Sequence, residues 1–174
     1  MRRLLPGAVV VALTMGGCAA TAAPPPPAFN ATDVAWLQLV VPMTEHALAA
    51  ARLAPDHASS AAVRSAAAAV VPAQEGLLAR LKAARDRAGL PAADIHSGHK
   101  MPGMVTEADL VALRTGRGAE FDGRWVALLR AHAAQVVVLA RGEQASGADA
   151  ETKRLAGEVG AEGAREEKRL TKTT

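Results

Sequence analysis

The chain has 174 residues, half of them hydrophobic, yet 42 are alanine and the aromatic set is only two Trp and two Phe. With no Tyr and the single isoleucine Ile95, it lacks the side chains that β-sandwiches and barrels use on pleated faces. It also lacks an aromatic platform for single-stranded nucleic acid. The formal net charge of +3 includes Arg2 and Arg3, without which 18 basic side chains face 17 acidic ones. No block of five like charges occurs, so nucleic acid is excluded as a partner. Alanine is the best helix former, and the composition predicts an all-α protein with small core residues.

In chain order, Met1-Arg2-Arg3 gives a positive start, Leu4 to Thr14 an apolar run too short to span a bilayer, and Met15-Gly16-Gly17-Cys18 small residues before a cysteine. This resembles a bacterial lipoprotein signal, in which residues 1–17 are removed and Cys18 is acylated. The alternative is an ordinary signal peptide cut after Ala19 or Ala23. Cys18 is the only cysteine, so an exported mature chain has no internal disulfide and owes its stability to packing. The expected partner is the membrane, reached through a lipid anchor rather than a spanning helix. Residues 18–28 include four consecutive prolines, Pro24 to Pro27, and read as a stiff spacer in front of a helical domain over 29–174.

A shift of 89 residues lays the second half of this domain on the first without a gap. Asp33, Trp36, Leu39 and Arg52 fall on Asp122, Trp125, Leu128 and Arg141; Val70, Arg80 and Leu81 fall on Val159, Arg169 and Leu170. Two repeated helical hairpins forming a four-helix bundle follow from this. The first helix is expected from an Asp33 N-cap to Ala54, stopped by Pro55, and the second from Ser60 to Ala88, ended by Gly89. Pro42 and Pro72 should kink them. Gly89 to Val105 reads as a loop, and Thr106-Glu107-Ala108-Asp109 as a capping box opening a short helix to Arg114. The third long helix is expected over Glu120 to Arg141 and the fourth over Asp149 to Thr171. Gly157, Gly160 and Gly163 should make the fourth the least stable, each costing about 1 kcal/mol relative to Ala.

No nucleophile elbow or phosphate loop is present, and the Glu-x-x-His spacing of di-iron bundles is missing, so no enzymatic activity is expected. The informative stretch is His96-Ser97-Gly98-His99-Lys100-Met101-Pro102-Gly103-Met104. It holds two of the chain's five His and two of its five Met. Imidazole and thioether together suit Cu(I), and the glycines and proline let a short loop bend its side chains inward. His96, His99, Met101 and Met104 are the candidate ligands. The competing reading is a polar connector whose Met side chains tuck onto the bundle. Under the 89-residue shift Met43 falls on His132, and His46 lies one turn from Met43, so Met43, His46 and His132 are expected to face one another as auxiliary ligands. His57, after Pro55, reads as a solvated turn residue.

The segments Asp33 to Pro42, His99 to Thr106 and Gly118 to Asp122 resemble the bacterial family of domain of unknown function 305. The most specific part is Met-Pro-Gly-Met followed by Gly-Ala-Glu-Phe-Asp. The resemblance, which runs from about Asn30 to the C-terminus, implies a ferritin-like helical bundle, export to the cell envelope, and the copper or silver binding attributed to some members. It also implies a His-His pair after the helix proline in each repeat. Here the first pair is Met43-Thr44 and the second His132-Ala133, with Ala131 in place of the proline, which shifts the expected site to the loop. Two functions are therefore expected: a copper-buffering envelope protein, or a metal-free bundle that engages another envelope protein.

Overall fold

The computed structural model describes residues 29–96, 98 and 100–173. The signal, Cys18 and the proline spacer lie outside the described residues, as does His99. Four long helices, α1 (Ala31–Ala51), α3 (Ala61–Arg87), α5 (Gly118–Ser146) and α6 (Ala150–Leu170), form the bundle. A single turn, α2 (Ala54–His57), joins the first pair, and α4 (Glu107–Thr115) sits in the central connection. No strand occurs among the described residues, and none of the helices is long and apolar enough to cross a membrane.

The element boundaries follow local chemistry. α1 starts three residues before the expected Asp33 cap because Asn30 is the N-cap. Its side chain accepts from the Thr32 and Asp33 amides, while Asp33 accepts from the Asn30 amide in return. Thr106 and Asp109 make the same reciprocal pair at α4, where the sequence places it. Ser60 caps α3 and Asp149 caps α6. Gly89, at φ 68°, supplies the left-handed residue that ends α3. α5 is longer at both ends than the sequence suggests. α1 and α3 run through Pro42 and Pro72 without a break.

The repeat is a structural fact down to single hydrogen bonds. At the start of α1, Asp33 accepts from the backbone amides of Ala148 and Asp149, at the mouth of α6. At the start of α5, Asp122 accepts from the Ser59 hydroxyl and the Ser60 amide, at the mouth of α3. These partners are themselves related by the 89-residue shift. Each repeat thus uses its aspartate to tie down the second hairpin of the other. The two Trp divide the apolar interior likewise. Trp125 lies in a cluster with Val63, Val70, Phe121 and Leu129, whereas Trp36 lies in one with Leu37, Leu81, Leu155 and Val159. The symmetry fails at one point, since the Trp125 indole N–H donates to the Ala50 carbonyl at 3.0 Å but Trp36 Nε1 has no partner.

The glycines of α6 take a role that propensity alone misses. A Cβ at Gly163 would stand 2.8 Å from the Ala133 carbonyl oxygen and 2.8 Å from Val136 Cγ2; at Gly160 it would stand 3.0 Å from the Ala140 Cβ. These positions form the face that α6 turns to α5, and α5–α6 is the most extensive helix pairing in the bundle. Close approach offsets part of the propensity cost, and nothing in the packing marks α6 as the weak element.

Candidate metal centre

The central loop is held by helices of both repeats. Gly103, at φ 70°, lies directly on α5: a Cβ there would stand 2.4 Å from Gln135 Cβ and 2.7 Å from the Ala131 carbonyl oxygen. Only glycine meets both constraints. The Met104 amide donates to the Met101 carbonyl at 3.1 Å, closing a turn that seats Met104 in the interior, and Val105 is fully buried beside it.

Two histidines grip the backbone of this loop. His46 on α1 contacts the Val105 carbonyl through Nδ1 at 2.8 Å. A carbonyl only accepts, so Nδ1 carries the proton and, in the neutral ring, Nε2 is left with a free lone pair. His132 on α5 bonds the Gly103 carbonyl, and its Nδ1 has no partner. Burial is the main cause of its depressed pKa, about 4, only partly opposed by that bond. His132 is therefore a neutral ring inside the bundle.

The ligands expected from sequence are thus brought together only in part. His46, His96 and Met104 line one cavity of about 350 Å³, rimmed by Asp94, Lys100 and Glu107. The His96 backbone amide donates to Asp94 Oδ1 at 2.8 Å, which fixes the turn presenting it. Met101 is half-buried but does not line this cavity. Met43 is packed in the core, and neither it nor His132 lines the loop cavity. The mutual arrangement of Met43, His46 and His132 expected from the repeat is replaced by one in which His46 joins the loop and the other two face inward. His57 is not simply solvated; it contacts the Gly116 carbonyl and packs on Phe121 at a centroid distance of 5.3 Å. Among the described residues no three His, Cys, Asp or Glu side chains gather closely enough to hold a metal by themselves. Any site here therefore needs thioether sulfur as well.

Sequence reasoning missed a buried polar set elsewhere. Glu143 on α5 is 1% exposed and lies against Asp33, and Gln74 and Glu166 are equally enclosed between α3 and α6. Burial raises the Glu143 carboxyl to about 8, helped by its hydrogen bond and charge interaction with Asp33, and burial raises Glu166 to about 7. Their positions on otherwise polar helices gave no periodic signal.

A four-helix bundle of two hairpin repeats, with a Met- and His-bearing loop clamped between them, defines the class of protein. A family model described as domain of unknown function (DUF305) matches residues 33–174, and the chain belongs to that family. Solved structures agree on the fold. A DUF305 fragment from Deinococcus radiodurans is 21% identical, with a TM-score of 0.74 over 83% of this chain and 95% of that one. A DUF305 protein from Streptomyces coelicolor, named as a secreted protein, is 20% identical, with a TM-score of 0.70 over 81% of this chain and 90% of that one. CopM in its Cu(II)-bound form is 20% identical, with a TM-score of 0.68 over 80% of this chain and 93% of that one. CopM is also known in a Cu(I)-bound form, 19% identical to this chain. A comparison with curated protein sequences returns no match.

Proposed function

We propose that this DUF305 protein is exported and lipid-anchored through Cys18, and that it binds copper as Cu(I) in the loop cavity, for buffering or transfer rather than catalysis. The observation that carries the reading is the cavity shared by His46, His96 and Met104. His46 is fixed by its Nδ1 bond so that Nε2 remains available, the way outer hydrogen bonds orient metal-binding imidazoles. A thioether with two imidazoles at low coordination number matches the preference of Cu(I). Met101 and His99 are the further donors that the sequence puts in the same loop. The copper-bound forms of CopM, a protein of the same fold, support this choice of ion.

The test is a Cu(I) titration of the purified protein against a chromophoric chelator, alongside a variant carrying His96→Ala, His99→Ala, Met101→Ala and Met104→Ala. One Cu(I) per chain is expected, with affinity weakened at least about 100-fold in the variant. Equal affinities in the two proteins would sink the reading and favour the metal-free interaction bundle.

A further inference from the structure

Deep in the bundle, between α1, α3, α5 and α6, lies a second and much smaller cavity of about 20 Å³, lined by Thr44, Gln74, His132 and Glu166 among others. It is separate from the loop cavity, and none of the residues lining either one lines the other. All four of these side chains are at least nine-tenths buried.

The hydrogen-bonding state of these groups is unusual because every free site is an acceptor. The Gln74 amide N–H donates to Glu166 Oε2 at 2.9 Å, leaving Gln74 Oε1 and Glu166 Oε1 without partners. His132 spends its ring N–H on the Gly103 carbonyl, leaving Nδ1 as a bare lone pair. The Thr44 hydroxyl donates to the Val40 carbonyl at 2.8 Å, so only its acceptor capacity remains. Buried polar atoms without partners are costly, and a native core rarely leaves several around one cavity unless something fills it. One water brings two hydrogens to three orphaned acceptors, which is not enough when one of them belongs to a carboxylate. A cation satisfies all of them and supplies the positive charge that a buried carboxylate needs.

We propose that this cavity is a binding site for one divalent cation of the borderline class, such as Zn(II), held by His132 Nδ1, Glu166 Oε1 and Gln74 Oε1, with Thr44 Oγ1 beside it. The donors are one nitrogen and three oxygens with no sulfur, which favours Zn(II) over the soft ion assigned to the loop. The cavity is large enough for one ion or one water, not for a ligand molecule. Entry is available from the surface groove between α3 and α6, of about 450 Å³, which shares Leu77 and Glu162 with the core cavity. His132 is thus a donor to the core, not to the loop.

The experiment is a Zn(II) titration of the purified protein against a competing chelator, with a crystal structure at the zinc absorption edge to place the ion. One Zn(II) per chain is expected, with anomalous density between His132, Gln74 and Glu166. Glu166→Gln, which keeps shape and fold (checked by circular dichroism), is expected to weaken Zn(II) at least about tenfold while leaving Cu(I) affinity unchanged. The loop variant His96→Ala/Met104→Ala is expected to do the reverse. Unchanged Zn(II) affinity in Glu166→Gln, loss of Zn(II) in the loop variant, or a cavity that holds only water in Zn(II)-soaked crystals would each overturn the proposal. Because the two ions are read separately, its failure is distinct from failure of the copper reading.

Discussion

Gly103 concentrates more constraint than any other single residue of the loop. Its φ of 70° is one that side chains rarely adopt, and the space where a Cβ would go is occupied by α5. Its carbonyl is what His132 bonds, and two residues on, the Val105 carbonyl is what His46 bonds. Gly103→Ala therefore strains the backbone and lifts the loop off α5 together. A loss of about 2–3 kcal/mol is expected from urea unfolding, with weaker Cu(I) binding as the His46–Val105 clamp opens. Gly98 also has a positive φ, 83°, but nothing lies within 4 Å of its added Cβ. Gly98→Ala is the control, expected to cost about 1 kcal/mol or less. Equal losses in the two variants would refute the docking account.

At the scale of elements, the glycines of α6 set packing against propensity. Gly163→Ala adds a good helix former, yet its Cβ would meet the Ala133 carbonyl oxygen and Val136 at 2.8 Å. A destabilisation of about 1–3 kcal/mol is expected. Gly76, exposed in the middle of α3 with nothing within 4 Å, should behave oppositely, and Gly76→Ala should stabilise by about 0.5–1 kcal/mol. Thermal melts of the two variants moving in the same direction would overturn this contrast. The same conflict explains what could be read from sequence. Helices, caps at Ser60, Thr106 and Asp149, and the Asp…Trp repeat follow from local patterns. What escaped prediction is non-local: a glycine face matched to a neighbouring helix, a His46 ring aimed at a loop carbonyl 59 residues away, and buried carboxyls facing partners across the bundle. The candidate site was legible as a cluster of residue types in the loop. Its selection of His46 over Met43 and His132 depends on which way each helix faces, and the repeat alone does not fix that.

For the molecule as a whole, buried titratable groups make folding depend on pH, and their signs differ. Asp33 is held below its ordinary value of 3.8: burial opposes this, but the Asn30, Ala148 and Asp149 amides and Glu143 outweigh it. Its contribution is present above pH 3.8 and lost as pH falls through the lowered value. His132, at about 4 when folded against 6.5 when free, also costs stability as pH falls from 6.5 toward 4. The raised carboxyls run the other way. Glu143 keeps its proton to about pH 8 in the folded state but releases it near 4.5 when unfolded, so its stabilisation drains away as pH rises between those values. Glu166 behaves likewise up to about 7. His132 and Glu166 largely cancel between pH 4.5 and 6.5, leaving Glu143 to set the slope above that.

The physical event is the loss of a shared proton at one end of the bundle, where Asp33 ties α1 to the start of α6. A protonated Glu143 donates to Asp33; an ionised one leaves two buried carboxylates side by side. The apo protein should therefore lose on the order of 2 kcal/mol between pH 6.5 and 8, the value for one proton over that range. Glu143→Gln removes the titration while its amide N–H still donates to Asp33, so its stability should be nearly flat over the same interval and exceed that of the unsubstituted protein at pH 8. Urea midpoints measured in metal-free buffer at pH 6.5, 7.25 and 8 decide the matter. Parallel slopes for the two proteins would place the pH dependence elsewhere and leave the Asp33–Glu143 pair without an energetic role.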